Sequence, residues 1–107
     1  MLTIPRISVD DVFQDITKGA DVILLDVRTL PEYQKEHIKN SIHLPIDEIS
    51  DTVASVVPEN NKKIYVYCLS GSRSDMAVSI MQTLGYKNLF SMTHGLLEWR
   101  AKKYPLV

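Results

Sequence analysis

The chain has 107 residues, of which 45 % are hydrophobic and 23 % are charged. This length supports one domain with one core, so we predict a single domain over residues 1–107. The formal net charge of -1 gives no overall attraction to nucleic acid or to a membrane surface. The lone cysteine excludes an internal disulfide, and a core of this size needs no metal to hold it together.

The N-terminal residues show no apolar run behind a basic patch, and no stretch approaches the roughly 20 apolar residues of a membrane span. A lone thiol persists most easily in a reducing compartment. We therefore expect a cytoplasmic protein that has no membrane or nucleic-acid partner and no cofactor.

Short β-branched runs alternate with amphipathic segments in the first half of the chain. A short edge strand is predicted around residues 3–7, followed by a helix between the N-cap Ser8 and Gly19. Residues 22–27 form a nearly continuous apolar run, which is typical of a strand buried on both faces. Residues 30–38 are compatible with a helix, and residues 41–44 predict a short strand.

In the second half, residues 46–57 predict a helix and residues 64–68 the strongest strand of the chain. A helix ending at Gly85 follows, because apolar residues recur at a period of 3.6. Its predicted buried face consists of Met76, Ala77, Ile80, Met81 and Leu84. A strand at 88–90 and a helix at 96–103 complete the pattern. This alternation predicts an α/β fold with a mainly parallel sheet.

The segment after the strongest strand carries the candidate chemistry. Cys68 is placed at the carboxyl end of a strand, where parallel sheets bind ligands. Unpaired N–H groups and the dipole at the start of the next helix favour its thiolate form. Gly71 allows the backbone to form an anion nest, and Arg73 adds a positive charge with planar donors. The predicted binding loop is Leu69, Ser70, Gly71, Ser72, Arg73 and Ser74, whose serine hydroxyls could bind the anion or cap the helix.

The alternative is that Cys68 is an ordinary core cysteine, since free cysteines are often buried. A loop with one glycine, one arginine and three serines is unsuited to a core, so we favour a nucleophile. The histidines His37, His43 and His94 cannot be placed beside Cys68 from sequence. One cysteine and three dispersed histidines also lack the spacing of a zinc site.

Asp26 and Arg28 end the second predicted strand and could face the same rim as Cys68. Arg28 and Glu32 are four residues apart in a predicted helical turn, so an ion pair between them is possible. We expect a supporting, structural role for Asp26 and Arg28.

Four stretches of the chain resemble, in order, the signatures of the rhodanese family of sulfurtransferases. They are Leu25-Asp-Val-Arg28 with Glu32-Tyr33, His37-Ile38 with Ser41-Ile42 and Leu44-Pro45, Cys68-x-x-Gly71-x-Arg73-Ser74, and Gly95 with Trp99 and Tyr104-Pro105. Glycine is usual in the family at four positions where this chain has Glu36, Asn40, His94 and Lys103. We expect these departures to affect local turn geometry more than chemistry.

The resemblance implies a five-stranded parallel sheet with helices on both faces, that is, a three-layer sandwich. It also implies that Cys68 accepts sulfane sulfur from a donor such as thiosulfate and passes it, as a persulfide, to cyanide or a thiol. Such covalent catalysis predicts ping-pong kinetics.

Two rival functions remain. Phosphatases and arsenate reductases also place a thiolate and an arginine on one loop, but with five intervening residues where this chain has four between Cys68 and Arg73. The second rival is a carrier or redox partner module that receives its sulfur from a donor protein.

Overall fold

The computed structural model describes residues 3–107, and within them five parallel strands form one sheet. The strands are β1 (Arg6–Ile7), β2 (Ile23–Asp26), β3 (Ile42–His43), β4 (Ile64–Tyr67) and β5 (Leu89–Met92). The helices are α1 (Val9–Thr17), α2 (Leu30–Lys35), α3 (Ile49–Val56), α4 (Ser72–Thr83) and α5 (Gly95–Ala101), and a 3-10 turn, Ile46–Glu48, precedes α3. The spatial order is β1-β5-β4-β2-β3, so β4 is the central strand. The first two residues of the predicted domain lie outside the described part.

Local sequence explains the boundaries of α1. Ser8 is its N-cap, and the Ser8 hydroxyl oxygen accepts a hydrogen bond from the Asp11 N–H at 3.0 Å. After the last helical residue, Thr17, the chain turns at Gly19, whose φ of +75° is easily adopted by glycine. The predicted start and stop of this helix are therefore confirmed.

Two apolar cores cover the two faces of the sheet, and the alternation of β4 assigns its residues between them. Ile64 and Val66 pack toward α3 and α4, whereas Tyr65 and Tyr67 pack toward α1 and α5. The next residue, Cys68, continues the alternation and belongs to the core under α3 and α4. The predicted α/β architecture with helices on both faces is confirmed.

The predicted buried face of α4 is wrong in part. Met76 and Leu84 are 61 % and 45 % exposed, while Ser74 and Val78 are fully buried. The buried stripe runs through residues 74, 77, 78 and 81, the spacing of one helical face. At the start of this stripe the Ser74 hydroxyl is hydrogen-bonded to the Gly71 carbonyl and to Ser91.

Helix α2 is shorter than the predicted segment 30–38. It ends at Lys35 because Glu36 has an extended backbone, and the Glu36 carbonyl accepts a hydrogen bond from Arg28 Nη2 at 2.7 Å. Within residues 3–107, every helix is too short or too polar to cross a bilayer.

Candidate active site

Cys68 lies at the end of β4 with its sulfur against the start of α4. Its side chain is fully buried, and Sγ accepts hydrogen bonds from the N–H groups of Gly71 at 3.0 Å and Ser74 at 3.4 Å. Gly71 is the N-cap of α4 and has no side chain to satisfy the helix start. The sulfur of Cys68 therefore takes the position of the capping oxygen, where backbone N–H groups and the helix dipole stabilise negative charge.

Two buried serines extend this polar site behind the sulfur. Ser74 Oγ lies 3.7 Å from Cys68 Sγ and 2.7 Å from Ser91 Oγ on β5. Both serines are fully buried. Sequence reasoning named Ser74 and missed Ser91, although a serine in the otherwise apolar strand Leu89–Met92 was a signal that could have been used.

The loop is held from above by the first turn of α5. The N–H groups of Leu96 and Leu97 donate to the carbonyls of Cys68 and Leu69, each at 3.0 Å. Gly95 makes this approach possible, because a Cβ there would lie 2.5 Å from both carbonyl oxygens. The backbone of the Cys68 loop is thus fixed by an element that follows it by about 25 residues in sequence.

Arg73, predicted to bring a positive charge and planar donors to the loop, pairs with a carboxylate from helix α2. Its guanidinium binds both carboxylate oxygens of Glu32, at 2.7 and 3.1 Å. This bidentate pair lowers the pKa of Glu32 to about 2 and raises the pKa of Arg73, and the nearby Cys68 adds to the latter. Arg73 contributes positive charge beside the loop while its orientation is fixed by α2.

The predicted Arg28–Glu32 ion pair is wrong. Arg28 instead pairs with Asp26, with Arg28 Nη2 donating to Asp26 Oδ2 at 2.7 Å and Nε donating to both carboxylate oxygens. Both side chains are buried, and the Asp26 carboxylate also accepts the Arg28 backbone N–H. Burial disfavours the charged guanidinium, but the carboxylate outweighs this effect and raises the pKa of Arg28. Glu32 is engaged elsewhere, because α2 directs it toward α4.

The other predicted loop serines lie on the outer side of the loop, whereas Leu69 packs against the core under α1 and α5. Ser70 and Ser72 line an open cleft of about 300 Å³ together with Arg6, Asp75 and His94. His37 and His43 stack on the ring of Tyr33, with centroids 3.8 and 4.7 Å away. Among the described residues, no group of three or more His, Cys, Asp or Glu side chains is arranged to hold a metal ion.

A parallel three-layer domain that holds a free thiol against the N–H groups at the start of a helix defines a class of thiol-bearing α/β domains. Within that class the chain belongs to the rhodanese family, because the model of the Rhodanese-like domain matches residues 8–102. A solved rhodanese-related protein from Thermoplasma volcanium is 32 % identical and superposes with a TM-score of 0.84, covering 96 % of this chain and 97 % of that chain.

Curated relatives carry names from sulfur metabolism. "Putative sulfur carrier protein YrkF" of Bacillus subtilis is 33 % identical over 94 % of this chain and 53 % of its own length. Thiosulfate sulfurtransferase PspE of Escherichia coli is 35 % identical over 61 % of this chain and 62 % of its own length. The chain therefore spans between half and two thirds of the length of these two relatives.

Proposed function

We propose that the protein is a thiosulfate sulfurtransferase that carries sulfane sulfur as a persulfide on Cys68. The observation that carries the proposal is the pair of N–H groups, from Gly71 and Ser74, directed at Sγ from 3.0 and 3.4 Å. Such donors stabilise a thiolate before the transfer and the charged persulfide after it. Membership of the rhodanese family and the relatives named thiosulfate sulfurtransferases support the same conclusion.

The reaction consists of two displacements at sulfur. The Cys68 thiolate attacks the outer sulfur of thiosulfate, a new S–S bond forms, and the bond to the sulfonate sulfur breaks so that sulfite leaves with the electron pair. Cyanide or a thiolate then attacks the outer sulfur of the persulfide. The products are thiocyanate or a new persulfide, together with the regenerated Cys68 thiolate.

The short loop favours sulfur transfer over phosphoryl transfer. Four residues separate Cys68 from Arg73, and the two N–H groups converge on one atom rather than around a group of oxygens. A phosphoryl group spreads its charge over three oxygens and needs a wider cradle. The proposal therefore assigns the site to negative charge on a single sulfur atom.

A second candidate, a carrier that receives its sulfur from a donor protein, is favoured by the relative named as a sulfur carrier. It uses the same persulfide on Cys68. Comparing persulfide formation from thiosulfate with formation from a cysteine-derived persulfide donor distinguishes the two functions, because the carrier would accept only the latter at a useful rate.

The first prediction concerns Cys68. After incubation with thiosulfate, mass spectrometry of the intact wild-type protein should show one added sulfur, which cyanide removes as thiocyanate. Cys68→Ser should abolish both signals, because the sequence contains no other cysteine.

The matched control is the double variant Cys68→Ser/Ser55→Cys, which restores one cysteine at an exposed site in the last turn of α3. There the helix dipole disfavours a thiolate, so no sulfur should be acquired. Sulfur uptake by this control equal to that of the wild type would show that any thiol suffices. Thiocyanate formation by Cys68→Ser would refute the mechanism.

A further inference from the structure

Ser91 on β5 is a buried residue whose hydroxyl, among the described residues, has one hydrogen-bond partner, the Oγ of Ser74 at 2.7 Å. Ser74 Oγ has three polar neighbours within hydrogen-bond distance. Its proton can go to the Gly71 carbonyl at 3.0 Å or to Ser91 at 2.7 Å. Cys68 Sγ donates to Ser74 Oγ at 3.7 Å as a thiol, and it becomes a third acceptor once it is ionised. These three acceptors compete for a single proton.

Only one arrangement of these hydrogen bonds gives both hydroxyl protons, those of Ser74 and Ser91, an acceptor. If Ser74 donated to Ser91, the proton of Ser91 would have no acceptor among the described contacts, and a buried unpaired donor costs about 1–3 kcal/mol. If Ser91 donates to Ser74, the Ser74 proton remains free for Gly71 or for Cys68. The arrangement Ser91→Ser74→(Gly71 or Cys68) therefore prevails.

The Gly71 carbonyl can release the Ser74 proton without being left unpaired, because it also accepts the Asp75 N–H at 3.0 Å. With a neutral Cys68 thiol, the S–H points at Ser74 Oγ and the Ser74 proton binds Gly71. When the thiol ionises, the Ser74 proton can turn to Sγ, so the same contact reverses its direction.

We infer that Ser91 is a positioning residue for the reaction: by donating to Ser74 Oγ it orients and polarises the Ser74 hydroxyl, whose proton hydrogen-bonds the ionised Cys68 sulfur. The inference builds on the proposed persulfide chemistry, since the hydroxyl serves the thiolate that attacks the donor. Chains of hydroxyls also polarise one another, which strengthens the final bond to sulfur.

The charged groups near Cys68 are held by partners other than Ser91. Arg73 is bound to Glu32, Arg28 is bound to Asp26, and the Asp75 carboxylate pairs with Arg6. Within residues 3–107, none of these side chains hydrogen-bonds Ser91, so a change in Cys68 reactivity in a Ser91 variant is attributable to the hydroxyl pair.

The test measures the rate of Cys68 alkylation by iodoacetamide across pH, which needs no sulfur donor. Ser91→Ala should alkylate about 3- to 10-fold more slowly than wild type near neutral pH, because a smaller fraction is thiolate. The two rates should converge at alkaline pH. Ser91→Thr keeps a hydroxyl and should restore much of the wild-type profile.

A double-mutant cycle separates positioning from general destabilisation. In a Ser74→Ala background, Ser91→Ala should change the alkylation profile by less than about 2-fold, because its effect passes through the Ser74 hydroxyl. An equal loss with and without Ser74, or a Ser91→Ala profile identical to wild type, would overturn the inference. If Ser91→Ala does not fold, the isosteric pair Ser91→Thr and Ser91→Val, each in the wild-type and Ser74→Ala backgrounds, gives the same comparison, because the two side chains differ only in the hydroxyl.

Thiosulfate provides the separate test of the proposed function. Wild-type protein that shows the Ser91 effect on alkylation but takes up no sulfur refutes the sulfurtransferase proposal and keeps the inference about the thiolate. If the wild-type protein takes up sulfur while Ser91→Ala alkylates at the wild-type rate, the sulfurtransferase proposal is kept and the inference about Ser91 is refuted.

Discussion

At the scale of single residues, a few residues with side chains occupy left-handed backbone conformations that favour glycine. Within residues 3–107, three non-glycine residues have positive φ: Asn40 (68°), His94 (64°) and Lys103 (59°). They are three of the four positions at which the chain departs from the glycine usual in the family, and the fourth, Glu36, is extended. Each costs about 1–2 kcal/mol of local strain, less for asparagine. Their backbones keep the turn that glycine would make, so the departures change side chains and preserve geometry.

At Gly95, next to His94, the close contact between α5 and the Cys68 loop leaves no room for a side chain. Gly95→Ala would place a Cβ 2.5 Å from the carbonyl oxygens of Cys68 and Leu69. We expect a loss of about 2–4 kcal/mol in the free energy of unfolding and a large fall in sulfur transfer, because the loop must move. Urea unfolding and persulfide formation measure the two effects.

Gly19→Ala is the matched control, because Gly19 also has positive φ but a Cβ added there would have nothing within 4 Å. It should cost only the conformational strain of about 1–2 kcal/mol and leave sulfur transfer unchanged. Equal losses of sulfur transfer in the two variants would contradict the role of the α5 contact in fixing the Cys68 loop.

At the scale of elements, the Glu32–Arg73 pair joins α2 to the first turn of α4, 41 residues away. Glu32 also closes the capping box of α2 by accepting the Thr29 N–H. The pair orients Arg73 beside Cys68 without burying it, since the two side chains remain about a third exposed. Helix α2, which contributes no buried residue, is therefore attached to the site mainly by polar contacts.

The acid stability of the protein should depend on this pair. The pKa of Glu32 falls from its ordinary 4.5 to about 2 in the folded state, so the unfolded chain binds more protons between these values. The stabilisation is present above about pH 4.5 and is lost as pH falls toward 2. Because solvent screens the pair, we expect about 1 kcal/mol rather than the full value of the shift.

Glu32→Gln removes the charge but can keep the capping box, since glutamine also accepts from the N-cap N–H. Its unfolding free energy should fall less steeply than that of wild type over this acid range, as measured by urea titrations at several pH values. Asp21→Asn is the charge-matched control, because the Asp21 side chain is 89 % exposed. A Glu32→Gln curve parallel to wild type throughout would contradict the role of the pair.

At the scale of the whole molecule, the central sheet separates two cores that share no residues. Cys68 belongs to the core under α3 and α4, whereas the turn that fixes its loop, at α5, covers the opposite face. The two cores are joined through β4, whose side chains alternate between them. We therefore expect the two faces to unfold together but to respond independently to small changes.

Ile49→Val and Ile38→Val test this expectation, one in each core. Both side chains are buried, and each variant should lose about 0.5–1.5 kcal/mol. The losses should add in the double variant within about 0.5 kcal/mol, with one unfolding transition by fluorescence and circular dichroism. Ile42→Val, at a position that is 37 % exposed, should change stability much less. Two separate transitions would refute cooperative unfolding.

The sequence by itself determined the alternating elements, the parallel sheet and the position of Cys68 between a strand and a helix. These features are local: the apolar period, the Ser8 cap and the run Cys68–Ser74 are each contained in a few neighbouring residues. The family resemblance added the five strands and the two helical layers, and the structure confirms them.

Only the tertiary structure decided which polar groups meet. Arg73 pairs with Glu32, Arg28 pairs with Asp26, and Ser74 hydrogen-bonds Ser91. Glu32 and Ser91 lie on elements that reach the site through the strand order β5-β4-β2, and the spacing of charges along the chain carries no information about that order. Hydrogen bonds form between groups that are near in space, so partners 17 or 41 residues apart become known only when the sheet is assembled.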